Sequence, residues 1–108
     1  MCGLCTVQVD GLPMSACLLL ATQVDGAAVR TIEGLVSPLQ EAFITEGGFQ
    51  CGICTSGQLM TADALLRVKP DATEAEITEW QMGNLCRCTG YYGIARAIAK
   101  ARAADAGR

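Results

Sequence analysis

The sequence Gly83-Asn84-Leu85-Cys86-Arg87-Cys88-Thr89-Gly90-Tyr91 places two cysteines only one residue apart. Earlier in the chain, Cys51-Gly52-Ile53-Cys54 forms a second close pair. Cysteines this near to each other are better suited to converge on a metal than to join distant segments through disulfide bonds. We therefore predict one metal centre built from four thiols, which are Cys51, Cys54, Cys86 and Cys88.

Helical patterns lie on both sides of the first pair. Ser37 can cap a helix that has Pro38 in its first turn, and this helix should end before the first cysteine pair. A second helix is predicted to start after Cys54, with Thr55 or Ser56 as its cap. The Cys51–Cys54 pair is therefore expected in the loop that joins these two helices.

The second pair lies between two further predicted helices. Thr73 and Glu76 have the spacing of a capping box, which opens a third helix that should end at Gly83. A fourth helix runs from about Tyr92 into the alanine-rich end of the chain. Four helices with short joins predict a small bundle, and such a bundle can bring two interhelical loops to the same end.

The first third of the chain is predicted to form strands. Thr6-Val7-Gln8-Val9 alternates in polarity, and the Asp10-Gly11 dipeptide that follows is typical of a hairpin turn. The returning strand is predicted at 12–17 and another short strand at 28–32. Because a sheet of only two or three strands is marginally stable alone, we expect a helix to cover it.

Composition and charge exclude several classes of protein. The chain has 108 residues, a net charge of −3 and no extended basic cluster, so it does not resemble a nucleic-acid-binding protein. No apolar run approaches the roughly 20 residues of a membrane span. Met1 leads directly into Cys2, so no secretory signal is expected. We predict a reducing, cytoplasmic location, where disulfide bonds are rare.

Four thiolates suit either a zinc ion or a [2Fe–2S] cluster. The Cys86-Arg87-Cys88 spacing is tighter than the paired knuckles of zinc ribbons, and the sequence has no histidine for Rieske-type ligation. A zinc-stabilised interaction module remains the alternative. A thiol–disulfide oxidoreductase that uses Cys51 and Cys54 is a third interpretation, but the chain lacks the βαβ pattern expected around such a motif.

Three more cysteines lie near the start of the sequence, at Cys2, Cys5 and Cys17. Plant-type ferredoxins bind their cluster with C-x4-C-x2-C and a more distant fourth cysteine. Cys2 and Cys5 match the second spacing and Cys17 matches the distant ligand, whereas the first ligand would lie before Met1. The other interpretation is that these are three ordinary thiols.

Five motifs occur in order along the sequence. They are Cys2-Gly3-Leu4-Cys5-Thr6-Val7, Ser15-Ala16-Cys17-Leu18, Ile32-Glu33-Gly34-Leu35, Phe49-Gln50-Cys51-Gly52-Ile53-Cys54-Thr55 and the 83–91 segment quoted first. Together they resemble a known family: the chain is similar to the small [2Fe–2S] subunit of the molybdenum hydroxylases, which include xanthine dehydrogenase, aldehyde oxidoreductase and carbon monoxide dehydrogenase. The resemblance covers nearly the whole sequence.

The resemblance implies an α+β fold with two domains. Residues 1–34 would be part of a ferredoxin-like β-grasp domain, and residues 35–108 a four-helix domain that carries a [2Fe–2S] cluster. The implied ligands are the complete quartet of the helical domain and, for a partial second [2Fe–2S] site, Cys2, Cys5 and Cys17. Gln50 and Cys88 match the family residues that approach the molybdopterin.

The resemblance also implies a role in electron transfer and no catalytic residue on this chain. Electrons would pass from molybdopterin in a large partner subunit, through the clusters, to FAD on a flavin subunit, to a cytochrome or to another acceptor. The sequence departs from the family at its start, where most of the β-grasp sheet and the first ligand have no counterpart. Relative to the family the sequence is truncated at its N-terminus, and Met1 is then a mis-assigned start, a real truncation or the first residue of a fragment.

Overall fold

The computed structural model of the protein describes residues 2–105, in which a small antiparallel sheet precedes four α-helices. Three short 3₁₀ turns connect the strands and lead into the first helix. The strands and α-helices are β1 (Thr6–Val9), β2 (Leu12–Ser15), β3 (Val29–Arg30), α1 (Pro38–Thr45), α2 (Thr55–Val68), α3 (Glu74–Gln81) and α4 (Tyr92–Asp105).

The sheet is a hairpin with one added strand, in the order β2-β1-β3. The predicted hairpin is confirmed, because Asp10 and Gly11 have φ values of 50° and 84° and join β1 to β2. Positive φ at both positions is what a two-residue turn between twisted strands requires. The predicted strands at 12–17 and 28–32 were too long, since the chain turns at Ala16–Leu18 and β3 pairs with only two residues of β1.

Two of the predicted helix starts are confirmed by their caps. The Ser37 side chain accepts a hydrogen bond from Leu39 N at the start of α1, and Thr73 accepts one from Glu76 N at the start of α3. The predicted cap of α2 was wrong. Cys54 is the cap residue and already has helical backbone angles, so the hydrogen-bond ladder starts from its carbonyl and Thr55 lies inside the helix.

Helix α2 forms the centre of the molecule. Ten of its residues are buried, and its side chains pack against the other three helices and against β1. Helix α4 approaches the end of α1 closely, because Gly93 has no side chain: a Cβ there would lie 2.3 Å from the carbonyl oxygen of Gly47. The fully buried side chains include Phe43, Met60, Leu65, Ile94 and Ile98.

A buried polar network fixes the sheet on α2. Gln8 of β1 donates from Nε2 to the carbonyl oxygen of Met60 at 3.1 Å and to Asp63 at 2.8 Å. Arg67 donates to the same Asp63 carboxylate at 2.8 Å, so the buried charge of Asp63 is paired. The sheet is thus held on α2 by specific hydrogen bonds as well as by apolar packing.

The α+β fold class predicted from the sequence is confirmed. All strands lie before residue 31 and all α-helices after residue 37, but the division into 1–34 and 35–108 stays a prediction. Across residues 2–105, no helix combines the length and the apolar character needed to cross a membrane.

Candidate metal centre

The fold brings the two cysteine pairs to one end of the helices, as the loop positions predicted. Cys51 and Cys54 lie between α1 and α2, and Cys86 and Cys88 lie between α3 and α4. Three of the four thiols border a cavity of about 280 Å³, whereas Cys88 is exposed beside it. The cavity is lined by Cys51, Cys54 and Cys86 together with Ile53, Leu85, Arg87 and Tyr91.

A tight turn presents the first pair. Gly52 has a φ of 81°, a conformation that side chains disfavour, and the main chain turns there so that Thr55 N donates to the Gly52 carbonyl. The main-chain N–H of Ile53 points at the sulfur of Cys51, with 3.5 Å between the two atoms. An N–H group in this position stabilises negative charge on a ligating sulfur.

Thr89 places hydrogen-bonding groups next to a sulfur of the second pair. The sulfur of Cys86 lies 3.4 Å from Thr89 N and 3.0 Å from Thr89 Oγ1. The main-chain N–H of Cys86 donates to the hydroxyl of Tyr91 at 3.0 Å. Both the sulfur and the main chain of Cys86 are therefore held by residues that follow it in the same loop.

The thiols of Cys54 and Cys86 differ in acidity although they are neighbours. Burial, together with the adjacent Cys86, raises the pKa of Cys54 to about 11. Burial opposes ionisation of Cys86 as well, but hydrogen bonds from the side chain and main chain of Thr89 lower its pKa overall. Because thiolates are the metal-ligating form, a bound cation is needed to hold the Cys54 sulfur deprotonated at neutral pH.

The four thiols form two close pairs in the sequence, and three of them border the same cavity. A [2Fe–2S] cluster is held by four thiolates, two on each of its two irons. The donor set therefore fits such a cluster.

The N-terminal cysteines form a second, smaller group. The main-chain N–H of Cys17 donates to the sulfur of Cys5 at 3.4 Å and lowers the pKa of that thiol. Contact with Cys5 raises the pKa of Cys17, while Cys2 is exposed. The sequence supplies three thiols where a plant-type cluster takes four, so a second cluster here stays a prediction.

Main-chain and side-chain hydrogen bonds join the two groups of cysteines directly. Leu85 N donates to the carbonyl oxygen of Cys2 at 2.7 Å. Next to it, the buried Asn84 side chain donates to Gly3 O at 3.0 Å and to Thr6 Oγ1 at 3.2 Å. The loop that carries Cys2 is therefore seated on the loop that carries Cys86.

A chain of buried amides supports this junction from behind. Gln58 of α2 donates from Nε2 to the Asn84 carbonyl at 2.9 Å, and Gln81 of α3 donates to Gln58 Oε1 at 2.6 Å. Sequence reasoning did not single out these amides. The available signal was a glutamine at position 58, on the face of α2 that also presents Leu65 and Leu66 to the core.

The remaining residue singled out by the sequence is Gln50. It is exposed and directly precedes Cys51, outside the residues that line the cavity. Its position leaves the side chain free to meet a molecule that approaches the cysteine pair from outside, and its role stays a prediction.

Comparison with known proteins agrees with this geometry. Residues 24–99, about two thirds of the chain and including the whole quartet, match the family model described as a [2Fe-2S] binding domain. The chain belongs to this family. The [2Fe-2S] binding domain is 50% identical over 101 residues to the nicotine 6-hydroxylase small subunit of Paenarthrobacter nicotinovorans. The alignment covers 90% of this chain and 61% of that subunit.

Further relatives confirm the resemblance to small subunits of the molybdenum hydroxylases. The domain is 46% identical over 105 residues to a probable xanthine dehydrogenase subunit of Bacillus subtilis, covering 94% of this chain and 61% of that protein. It thus spans about three fifths of the length of these curated relatives. The solved structure of quinoline 2-oxidoreductase from Pseudomonas putida matches with a TM-score of 0.90 at 44% identity, covering 99% of this chain and 69% of that one.

Proposed function

We propose that this [2Fe-2S] binding domain is the electron-transfer part of a molybdenum hydroxylase complex. Its cluster would be held by Cys51, Cys54, Cys86 and Cys88. The observation that carries the proposal is that three of these thiols, from two interhelical loops, border one cavity, with main-chain N–H groups aimed at the sulfurs of Cys51 and Cys86. The names of the relatives, which are small subunits of hydroxylases and dehydrogenases, support it.

A [2Fe–2S] cluster bound there would carry one electron at a time, and the residues of this chain would control how it is held. Hydrogen bonds within the loops hold the sulfurs of Cys51 and Cys86, so we expect little rearrangement when the charge of the cluster changes. The N–H groups of Ile53 and Thr89 stabilise the more negative state. No residue of this chain is assigned to substrate chemistry, which we place on a partner.

The partner is proposed to be a large molybdopterin-binding subunit. Exposed apolar side chains surround the cavity: Ile53 is 66% exposed and Leu85 is 57% exposed. Apolar side chains grouped beside a functional site are typical of a docking surface. Gln50 and Cys88 lie on the outside of this site, where they would face the pterin.

The route away from the quartet would lead through the N-terminal group. The hydrogen bond from Leu85 N to Cys2 O supports this direction, because it links the two groups of cysteines through the residue next to Cys86. A flavin subunit with FAD, a cytochrome or another acceptor would receive the electrons. We place the complex in the cytoplasm, where the seven free thiols would stay reduced.

Iron and sulfide analysis of the purified protein tests the proposal. About two iron atoms per chain are expected if the quartet alone is loaded, and about four if the N-terminal group is loaded as well. The protein should be coloured and should lose much of its colour on reduction. A colourless protein that contains zinc would instead support the interaction module and overturn the proposal.

Charge placed on the rim of the cavity should weaken docking. Ile53→Asp is expected to weaken binding to the molybdopterin-binding subunit by at least about tenfold, because a carboxylate would have to be desolvated in the interface. Titration calorimetry with that subunit measures the loss. Val68→Asp is the matched control, since Val68 is 52% exposed at the other end of α2, about 20 Å away. Equal loss in both variants would contradict the proposed surface.

A further inference from the structure

Two adjacent tyrosines that look equivalent in the sequence are held very differently. Tyr92 is 76% exposed at the start of α4, and its side chain makes no hydrogen bond within the described residues. Tyr91 lines the cavity, and its hydroxyl lies 3.0 Å from the main-chain nitrogen of Cys86. Only Tyr91 is therefore in a position to act on a ligand of the metal centre.

The backbone of Tyr91 is in a conformation that such a residue rarely adopts. Its φ is 73°, directly after Gly90 with a φ of 65°. For a bulky residue this left-handed conformation is an outlier, and glycine would adopt it without strain. A large side chain at a position that favours glycine indicates that the side chain itself is needed there.

Three hydrogen bonds close a ring through this loop. Cys86 N donates to the Tyr91 hydroxyl, and Tyr91 N donates to Thr89 Oγ1 at 3.1 Å. Thr89 Oγ1 in turn lies 3.0 Å from the sulfur of Cys86. Because a metal-bound thiolate has no proton, the Thr89 hydroxyl must be the donor in this last contact. Tyr91 thus holds the main chain of Cys86 with its side chain, and orients the donor to the Cys86 sulfur with its own main chain.

We propose that Tyr91 is the positioning residue of the metal centre, which fixes Cys86 as a ligand and tunes the cluster. The proposal rests on the proposed function, because it requires a cluster bound by the quartet. Its effect is twofold. The phenol holds the ligand loop in the closed form, and it takes up the Cys86 N–H, a donor that would otherwise be free to approach a cluster sulfur. Hydrogen bonds to the sulfurs are among the factors that set the potential of such clusters.

The test uses the full chain with its cluster and compares Tyr91→Phe with Tyr92→Phe. Tyr91→Phe keeps the ring on the cavity wall and removes only the hydroxyl. We expect it to raise the midpoint potential, to shift the electron paramagnetic resonance signal of the reduced cluster, and to release iron to a chelator roughly five- to tenfold faster. Tyr92→Phe should match the wild type in all three measurements.

The outcomes separate this inference from the function on which it rests. A wild-type protein without iron and sulfide would overturn both. A cluster that is present and unchanged in Tyr91→Phe would overturn only the role of Tyr91. A lower melting temperature with an unaltered potential and spectrum would show a merely structural contact and would also overturn that role.

A second pair of variants covers the case in which Tyr91→Phe does not fold. Thr89→Val removes the hydroxyl that links Tyr91 to the Cys86 sulfur, while Thr89→Ser retains it. If the ring is present, Thr89→Val should alter the electron paramagnetic resonance signal of the reduced cluster, and Thr89→Ser should leave most of that signal as in the wild type. Equal spectra for these two variants would contradict the ring.

Discussion

Replacing Cys54 by serine is expected to abolish iron binding at the quartet. Cys54 is half-buried and lies within interaction distance of both Cys51 and Cys86, so its loss leaves three thiolates and one hydroxyl that stays protonated. Visible absorption and iron content should both fall by the full share of one cluster, about two iron atoms per chain. Metal binding also stabilises the fold of such domains, so the melting temperature should fall as well.

Cys17→Ser is the matched control for this experiment, because Cys17 belongs to the N-terminal group and lies outside the cavity. Its iron content should fall only if the N-terminal group is loaded, and the signal of the quartet should persist. Full iron content in Cys54→Ser would contradict the ligand assignment. The comparison also shows which part of the absorption belongs to each group.

Gly57→Ala is expected to destabilise the protein by about 3 kcal/mol, at the upper end of the range for overpacked sites. Alanine normally stabilises a helix relative to glycine by about 1 kcal/mol. Here, however, the new Cβ would lie 2.1 Å from the carbonyl oxygen of Gly3 and 3.1 Å from Leu4 Cα. Denaturant unfolding measures the difference in the free energy of unfolding.

The loop that carries Cys2 and Cys5 has no room to retreat from this Cβ. A side chain at Gly3 would itself meet the Gly83 carbonyl oxygen at 2.2 Å, so main chain surrounds the loop on both sides. Gly83→Ala is the control, since no atom lies within 4 Å of its Cβ position, and its effect should stay within about 0.5 kcal/mol. A neutral Gly57→Ala would mean that the loop with Cys2 and Cys5 is not packed against α2.

Local signals in the sequence were sufficient for most of the elements and for the two loops in which the four cysteines lie. The Asp10-Gly11 turn and the caps Ser37 and Thr73 depend on residues within a few positions of each other, and each lies where it was predicted. The placement of the quartet followed from the loops between these helices. The predicted start of α2 after Cys54 is correct, but its cap was misassigned, because Cys54 takes the cap position without a side-chain hydrogen bond that the sequence would reveal.

What the sequence could not predict are contacts between distant segments. Tyr91 and Tyr92 are indistinguishable as neighbours in a motif, and only the left-handed turn at Gly90 directs one of them at Cys86. The buried Gln58 lies in α2 and the buried Asn84 lies in the loop after α3, so no periodicity pairs them. Such contacts depend on how the loops fold back onto α2, which local propensity does not encode.

The hydrogen bond between Asn84 and Gly3 has a consequence for how the protein is made. It joins residues 81 positions apart, so the loop with Cys2 and Cys5 leaves the ribosome well before Asn84, which holds this loop in the folded protein, has been synthesised. At about 5–20 residues per second, translation separates the two by roughly 4 to 16 s. During that interval these thiols are open to any oxidant or stray metal in their surroundings. We therefore expect cells to deliver iron only after the chain is complete. Until then, the loop with Cys2 and Cys5 is the part of the nascent chain that most needs protection by a chaperone.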